Sequence, residues 1–321
     1  MHYDVFNGDA DGIIALLQLR LVKPCDSQLI TGVKRDIQLL RALSVSVGDS
    51  VTVLDISLAK NAIDLRRILD SGAQVFYADH HQAGAIPEHP NLTTMIDLSA
   101  NICTGLIVDR FLQGQYHHWA ITSAYGDNLL ETGDHLAELA GLSHFQAGQL
   151  KRLGTLINYN GYGQSLQDLH YHPADLFRAL LHYPSPFDLI ADPQSPYTKL
   201  DKAYHQDMEQ VLAFSAYYES DTLRVFELPA EALSYRVSGA YSNLLANQQT
   251  QKAHIVLTRL GQDNYTASLR APLANKQGAG GICAQFPSGG GREAAGGINR
   301  LPQQSLSRLI FMVEEYYRTK V

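Results

Sequence analysis

Cysteine is scarce in this chain: the 321 residues contain three, Cys25, Cys103 and Cys283, far apart and in no CxxC or comparable spacing. That argues against a disulfide framework or a thiolate zinc site and predicts reduced packing residues. No apolar run reaches the roughly 18 residues needed to span a bilayer, so no membrane association is expected. The opening stretch MHYDVFNGDADG has no basic segment, apolar core or small-residue cleavage site of a secretory signal. The expected location is the cytoplasm. Positive charge is also in deficit, with 25 Lys and Arg against 32 Asp and Glu and a formal net charge of -7. Stable binding to long nucleic acid is therefore not expected, because it draws on many Lys and Arg contacts to phosphate. A small anionic substrate stays open, and bound cations would neutralise part of the acidic excess.

What the chain does contain is apolar material for two cores. At 45% hydrophobic and 18% charged residues it reads as an ordinary globular protein. Its length exceeds the roughly 100 to 200 residues of one typical domain. In the first half, short apolar runs alternate with helical patterns. YDVF (3–6) precedes GIIALLQLRLV; SQLITGV and SVTVLDIS follow, then AKNAIDLRRILDSG at helical spacing, then AQVFYADHH. This alternation predicts an α/β fold: a mainly parallel sheet with helices on both faces and a ligand crevice beyond the carboxyl ends of the strands. Residues 103 to about 183 read as successive helices, and the proline-rich YPSPFDLIADPQSPY (183–197) reads as the end of that series. The organisation expected is a first domain over 1–195, a linker helix over 196–220 and a smaller α/β domain over 221–321. In the last of these, TLRVFELP, LSYRVSG, AHIVLTRLG and YTASLRA read as strands, AYSNLLANQQ and QSLSRLIFMVEEYYR as helices. The stretch GAGGICAQFPSGGGREAAGG sits inside this pattern and predicts a backbone that bends tightly and approaches a ligand.

Acids and imidazoles collect where the predicted strands end. Asp9 and Asp11 follow the first strand, Asp55 a later one, and Asp79, His80 and His81 the next, with Asp127 in SAYGDN. Carboxylates serve hard divalent cations, whereas imidazole shifts the preference toward Mn, Fe, Co or Zn. A mixed Asp and His set without thiolate therefore suggests Mn²⁺ first. Any one of these acids is more often a solvated loop residue or helix cap than a ligand. Their recurrence at successive strand ends is what points to a metal centre.

Together these segments resemble the DHH phosphoesterases with a C-terminal DHHA1 domain, the family of nanoRNase- and RecJ-like short-oligonucleotide phosphodiesterases. DADG is similar to the first family motif, the Asp of VLDIS to the second, ADHH to the third and the Asp of AYGDN to the fourth. ASLRA followed by GGGREAAGG resembles the DHHA1 signature, and YSNLLAN the helix before it. The likeness covers nearly the whole chain. It implies two metal ions, usually Mn²⁺, with Mg²⁺ or Co²⁺ as substitutes. Asp55 would bridge the ions, Asp9 would favour one, and Asp11, His80 and Asp127 the other. Asp79 would support or complete the cluster, and His81 would contact the scissile phosphate, so both carry catalytic roles. Two ions about 3.5 to 4 Å apart can share a water, lower its pKa and stabilise phosphate charge during in-line attack.

The chain departs from the family pattern at two positions. Val5 stands where relatives often carry a His ligand, which leaves open whether Asp79, Asn7 or water fills the gap or whether one ion suffices. Arg292 follows the glycines where nucleolytic relatives commonly have His. Arginine brings a permanent charge and a bidentate fork to a phosphate, and the backbone of Gly289, Gly290 and Gly291 could approach the same anion. Arg270 is a second candidate for phosphate or base recognition, and Asn158 in LINYNGYG a third. His117, His118, His170 and His172 accompany no strand-end acids and read as surface or packing residues. The expected activity is metal-dependent hydrolysis of linear dinucleotides such as pGpG, or of very short 5'-phosphorylated oligoribonucleotides, to mononucleotides. The alternatives are a pAp 3'-phosphatase, an exopolyphosphatase or pyrophosphatase, and a non-catalytic nucleotide-binding regulator. The last has little use for clustered, mutually repelling acids. A short nucleotide is the expected partner, and a homo-oligomer is compatible with these patterns.

Overall fold

A computed structural model describes residues 1–318. It divides into two compact units, one over Met1–Lys202 and a second beginning at Ala203. In the first unit β1 (His2–Phe6), β2 (Gln28–Ile30), β3 (Ser50–Leu54), β4 (Gln74–Asp79) and β5 (Leu92–Ile96) form one sheet in the order β2-β1-β3-β4-β5. Every pairing in it is parallel. The pleat sends alternate side chains to opposite faces. Tyr3, Val5, Val51, Val53, Val75 and Tyr77 pack together with Leu58, Leu65 and Ile68 of α2 (Leu58–Asp70). Asp4 points the other way and takes the guanidinium of Arg20 from α1 (Ala10–Val22), which packs against β1 and β3. Helices thus cover both faces, as the alternation in the sequence predicts. Hydropathy does not flag the edge strand β5, whose residues are only partly buried.

Seven helices complete this part of the chain: α3 (Thr104–Phe111), α4 (His117–Gly126), α5 (Leu130–Leu139), α6 (His144–Gly161), α7 (Pro173–Leu180), α8 (Pro186–Ala191) and α9 (Pro196–Leu212). The prolines of residues 183–197, read from sequence as ending the helical series, instead begin helices. Pro186 and Pro196 open α8 and α9, where the missing N–H would have had no partner anyway, and Ser185 Oγ caps α8 by accepting from Phe187 N at 3.2 Å. Helices α4 and α6 meet backbone to backbone, since a Cβ on Gly154 would lie 2.4 Å from Thr122 O. That approach fixes the ends of both helices, which carry Asp127 and Asn158.

The second unit has a six-stranded sheet in the order β10-β11-β9-β8-β7-β6. Its strands are β6 (Tyr218–Glu219), β7 (Leu223–Leu228), β8 (Ala253–Leu260), β9 (Asn264–Arg270), β10 (Gly289–Arg292) and β11 (Ala295–Pro302), with helices α10 (Ala232–Gln248), α11 (Ala279–Cys283) and α12 (Leu306–Arg318). Only β7 and β8 pair in parallel. That pairing corrects one expectation. LSYRVSG, read as a strand, lies inside α10, because parallel neighbours need a crossover. Its buried Ser234 and Val237 continue through Tyr241 and Leu245 at helical spacing. The glycine motif is a second correction: Gly289, Gly290 and Gly291 form the strand β10 instead of a turn, and the chain reverses at Glu293 and Ala294. The core of this unit joins Leu223, Val225, Ile255, Leu257 and Leu269 to Leu309 and Val313. Among the described residues no helix is long and apolar enough to cross a membrane.

At the amino-terminal end of the parallel sheet, Asp4 is fully buried. It accepts from His2 Nε2 at 3.0 Å, from Arg20 Nε at 2.8 Å, from Arg20 Nη2 and from Ser27 Oγ at 2.6 Å. Burial alone would raise this carboxyl, but the hydrogen bonds and the guanidinium charge outweigh it and hold the pKa at about 2 instead of 3.8. A pKa depressed on folding stabilises the protein above the unfolded value, and the contribution disappears as pH falls through the folded value. It amounts to about 2 kcal/mol, present above about pH 4 and gone near pH 2. Asp4→Asn is expected to lower stability near neutral pH by about 3 kcal/mol, because it leaves Arg20 buried without a charged partner. Urea denaturation across this pH range is the check, and the variant should show a shallower acid loss than the unaltered protein.

Candidate metal centre

The carboxyl ends of four neighbouring strands deliver the polar residues of the first unit to one crevice. Beyond β1 the chain turns through Asn7 into Asp9, which caps α1: its Oδ1 accepts from the N–H groups of Asp11 and Gly12, each at 3.1 Å. Beyond β2 comes Lys34. Beyond β3 comes Asp55 with φ 58°, a left-handed backbone that non-glycine residues rarely adopt, held by its N–H to Ala78 O at 3.1 Å. Asp79 is the last residue of β4, and His80 and His81 follow it. Asp127 closes α4, its N–H donating to Ser123 O at 2.9 Å.

His80 organises this set. Its Nδ1 lies 2.9 Å from the carbonyl oxygen of Ile102. A carbonyl only accepts, so Nδ1 carries a proton and Nε2 is turned the other way. That nitrogen faces three carboxylates: Asp55 Oδ1 at 3.5 Å, Asp11 Oδ2 at 3.8 Å and Asp127 Oδ2 at 3.9 Å. These separations are too long for hydrogen bonds. They suit ligand atoms that share one cation, since donors each about 2.1 Å from a common ion lie about 3 to 4 Å apart. Asp55, His80 and His81 each bring a donor atom within 4.8 Å of the others, but His81 Nδ1 is engaged by Asp79 Oδ1 at 2.7 Å. Two buried carboxylate oxygens, Asp79 Oδ2 and Asp127 Oδ2, have no hydrogen-bond partner among the described residues. A buried, unpaired carboxylate oxygen is costly, and a divalent cation supplies what both lack.

Other side chains hold the acids apart from any ion. The amino end of α3 clasps Asp11, with Thr104 N on Oδ2 and Gly105 N on Oδ1, each at 2.7 Å, and Ser123 Oγ donates to Oδ1 at 2.6 Å. Thr104 Oγ1 donates to Asp55 Oδ1 at 3.2 Å. Lys34 Nζ reaches Asp9 Oδ2 at 2.5 Å and Asn158 Oδ1 at 3.1 Å. The electrostatic result is uneven. Burial would raise the Asp9 carboxyl, but Lys34 outweighs it and holds the pKa at about 2. Burial and the neighbouring charges of Asp11, Asp9, Asp79 and Asp127 push Asp55 well above the usual carboxylate range. Asp127 is raised as well, by burial first and by Asp11 and Asp9, against the pull of Lys34 and His80. For His81 burial favours the neutral ring, yet the Asp79 hydrogen bond and charge win and its pKa rises.

The structure thus brings Asp9, Asp11, Asp55, Asp79, His80, His81 and Asp127 into one crevice. It also adds residues that sequence reading missed. Lys34 had a signal, its position directly after a predicted strand; Thr104 and Ser123 had none, since nothing marks an ordinary hydroxyl as the donor to a distant acid. Val5 lies in the core beside Ile30 and Val53 and offers no ligand atom. His117 binds Asp109 at 2.7 Å and His170 binds Tyr159 at 2.8 Å. In the second unit Arg270 ends β9 and donates to Asn243 Oδ1 at 2.7 Å and Ser268 Oγ at 3.0 Å. Arg292 ends β10, exposed, with no ion pair among the described residues. Gly289 is required by packing, because a Cβ there would sit 1.9 Å from Cys283 O.

No protein-family model and no curated protein matches this sequence. Among solved structures the chain is similar to exonuclease RecJ bound to manganese, at 15% identity and a TM-score of 0.57, over 99% of this chain and 90% of that one. It is similar to RecJ in complex with Mn²⁺ from Thermus thermophilus, at 16% identity and a TM-score of 0.60, over 99% of this chain and 52% of that one. It is also similar to PggH of Vibrio cholerae, a pGpG-specific phosphodiesterase, at 15% identity and a TM-score of 0.56, over 99% of each chain. At these identities the likeness establishes the fold alone: the chain shares the fold of the RecJ and PggH structures, a parallel-sheet unit followed by a mixed-sheet unit.

Because Ser123 orients Asp11 and not the ion, Ser123→Ala is expected to leave the fold intact and weaken Mn²⁺ binding by about 10- to 100-fold. Calorimetric titration of both proteins measures it, and unchanged affinity would show that the Ser123 hydrogen bond to Asp11 does not tune binding of the ion.

Proposed function

We propose that the chain is a divalent-cation-dependent phosphodiesterase that hydrolyses linear dinucleotides such as pGpG, or very short 5'-phosphorylated oligoribonucleotides, to mononucleotides. The observation that carries this reading is the convergence of Asp11, Asp55 and Asp127 on Nε2 of His80, together with carboxylate oxygens of Asp127 and Asp79 that have no partner among the described residues. Those residues fit a divalent cation, and the mixture of carboxylate and imidazole favours Mn²⁺, with Mg²⁺ or Co²⁺ as substitutes. When bound, such a cation acidifies an attacking water and offsets the charge that builds on phosphate oxygens.

The protein's own groups complete the chemistry. Ile102 O orients the His80 ring through Nδ1, and the amino end of α3 orients Asp11. Asp79 receives the Nδ1 proton of His81, which leaves Nε2 of that ring, whose side chain is 45% exposed, to donate to a phosphate oxygen. Its raised pKa keeps the ring cationic over a wider pH range, which suits an anionic substrate. For the second unit we assign Arg292, an exposed cation without an ion pair among the described residues, to a terminal phosphate, and Arg270, steadied by Asn243, to phosphate or base recognition. The structural likeness to PggH along 99% of both chains supports a dinucleotide, and the net charge of -7 disfavours long nucleic acid.

The test is a substrate panel of pGpG, pApA, longer 5'-labelled RNAs, pAp and polyphosphate with purified protein and Mn²⁺. The dinucleotides should be cleaved fastest, with activity lost to chelator, restored by Mn²⁺ and abolished in Asp79→Ala. Absence of hydrolysis with every divalent ion would refute the enzyme, and release of inorganic phosphate from pAp alone would make it a 3'-phosphatase.

A further inference from the structure

We infer that Lys34 is a built-in cation that takes the place of one divalent ion, so that the centre binds a single metal ion per chain. The inference rests on the metal-dependent reading above and concerns how many ions that centre takes. A second ion in this crevice would need carboxylate oxygens with lone pairs directed at it, and the acid on that side is Asp9. Asp9 is already engaged. Its Oδ1 accepts from two backbone N–H groups, those of Asp11 and Gly12, each at 3.1 Å. Its Oδ2 takes the ammonium of Lys34 at 2.5 Å.

Lys34 is held there from several directions, unlike a surface lysine that meets an acid by chance. Nζ also donates to Asn158 Oδ1 at 3.1 Å and lies 5.4 Å from the centre of the Tyr162 ring, within reach of a cation–π attraction. The backbone is fastened as well, with Lys34 N donating to Gly161 O at 2.8 Å and Lys34 O accepting from Asn7 Nδ2 at 3.2 Å. A divalent ion entering on this side would meet the positive charge at short range and would have to displace an ammonium from a buried carboxylate. Val5, fully buried in the core, supplies no donor to compensate.

An unsatisfied lone pair lies elsewhere. Asp127 Oδ2 has no partner among the described residues and lies 3.9 Å from His80 Nε2, which also faces Asp55 Oδ1 at 3.5 Å and Asp11 Oδ2 at 3.8 Å. That spacing matches the coordination sphere of one ion. The lysine charge is permanent and present at every metal concentration. Activity should therefore depend on Mn²⁺ as a single-site hyperbola.

Counting Mn²⁺ bound to the purified full-length protein, by calorimetry and by the electron paramagnetic resonance signal of the free ion, tests this without any assay of activity. The unaltered protein is expected to bind one ion per chain. Lys34→Met, which keeps the length of the side chain but not its charge, should bind two, and Lys34→Met with Asp9→Asn should return to one. Lys34→Arg should stay at one. Two ions in the unaltered protein, or one in a Lys34→Met protein with an unchanged far-ultraviolet spectrum, would overturn the inference while leaving the enzyme reading intact. No bound ion in the unaltered protein would overturn the metal-centre reading itself. The count on the unaltered protein stands even if Lys34→Met fails to fold.

Discussion

Five carboxylates crowded into one largely buried crevice repel one another, and much of the first unit is arranged around that repulsion. Asp9, Asp11, Asp55 and Asp79 are almost wholly removed from solvent, where a carboxylate oxygen left without a positive or donating partner is costly. The amino end of α3 and Ser123 serve Asp11, Lys34 serves Asp9, and His81 serves one oxygen of Asp79. The protein stops short of serving them all. Asp55 and Asp127 keep raised carboxyls, and the unpaired Oδ2 of Asp127 lies 3.9 Å from Nε2 of His80. A crevice that neutralises part of its own charge and leaves the remainder on convergent carboxylate and imidazole atoms has the chemistry of a divalent-cation site.

The scaffold has to resist this repulsion, and its geometry shows how. Parallel strands deliver the acids at neighbouring strand ends, so their spacing follows that of the sheet. At the opposite end of the same sheet Arg20 ties α1 to Asp4 of β1. The start of α1 carries Asp9 and Asp11, so the buried pair at one end of the helix steadies the acids at the other. Backbone contact between α4 and α6 does the same for Asp127 and Asn158.

Asp55 and Asp79 were legible in the sequence because β3 and β4 are largely apolar and run straight into Asp, and Asp9 and Asp11 because they follow the turn after β1, so strand pattern and ligand chemistry point to the same positions. Lys34 was harder to see. The stretch GVKRD looks like a solvated basic loop, and only the fold shows the ammonium turned inward onto Asp9. Thr104 and Ser123 are invisible without tertiary structure, since their role depends on α3 and α4 meeting α1. In the second unit LSYRVSG suits a strand and a helix equally well by local pattern. What decides is the parallel β7–β8 pair, a long-range fact that imposes the crossover. The glycines of GGGR suggested a bend, yet they serve a strand that α11 approaches too closely for any side chain at Gly289.

The central claim is that His80, Asp11, Asp55 and Asp127 surround one divalent cation, and anomalous diffraction at the manganese edge from crystals soaked in Mn²⁺ tests it most directly. The account predicts a strong peak about 2.2 Å from His80 Nε2, bounded by oxygens of those three aspartates. A saturated crystal with no peak beside His80, or with manganese bound only at exposed carboxylates elsewhere, would contradict it.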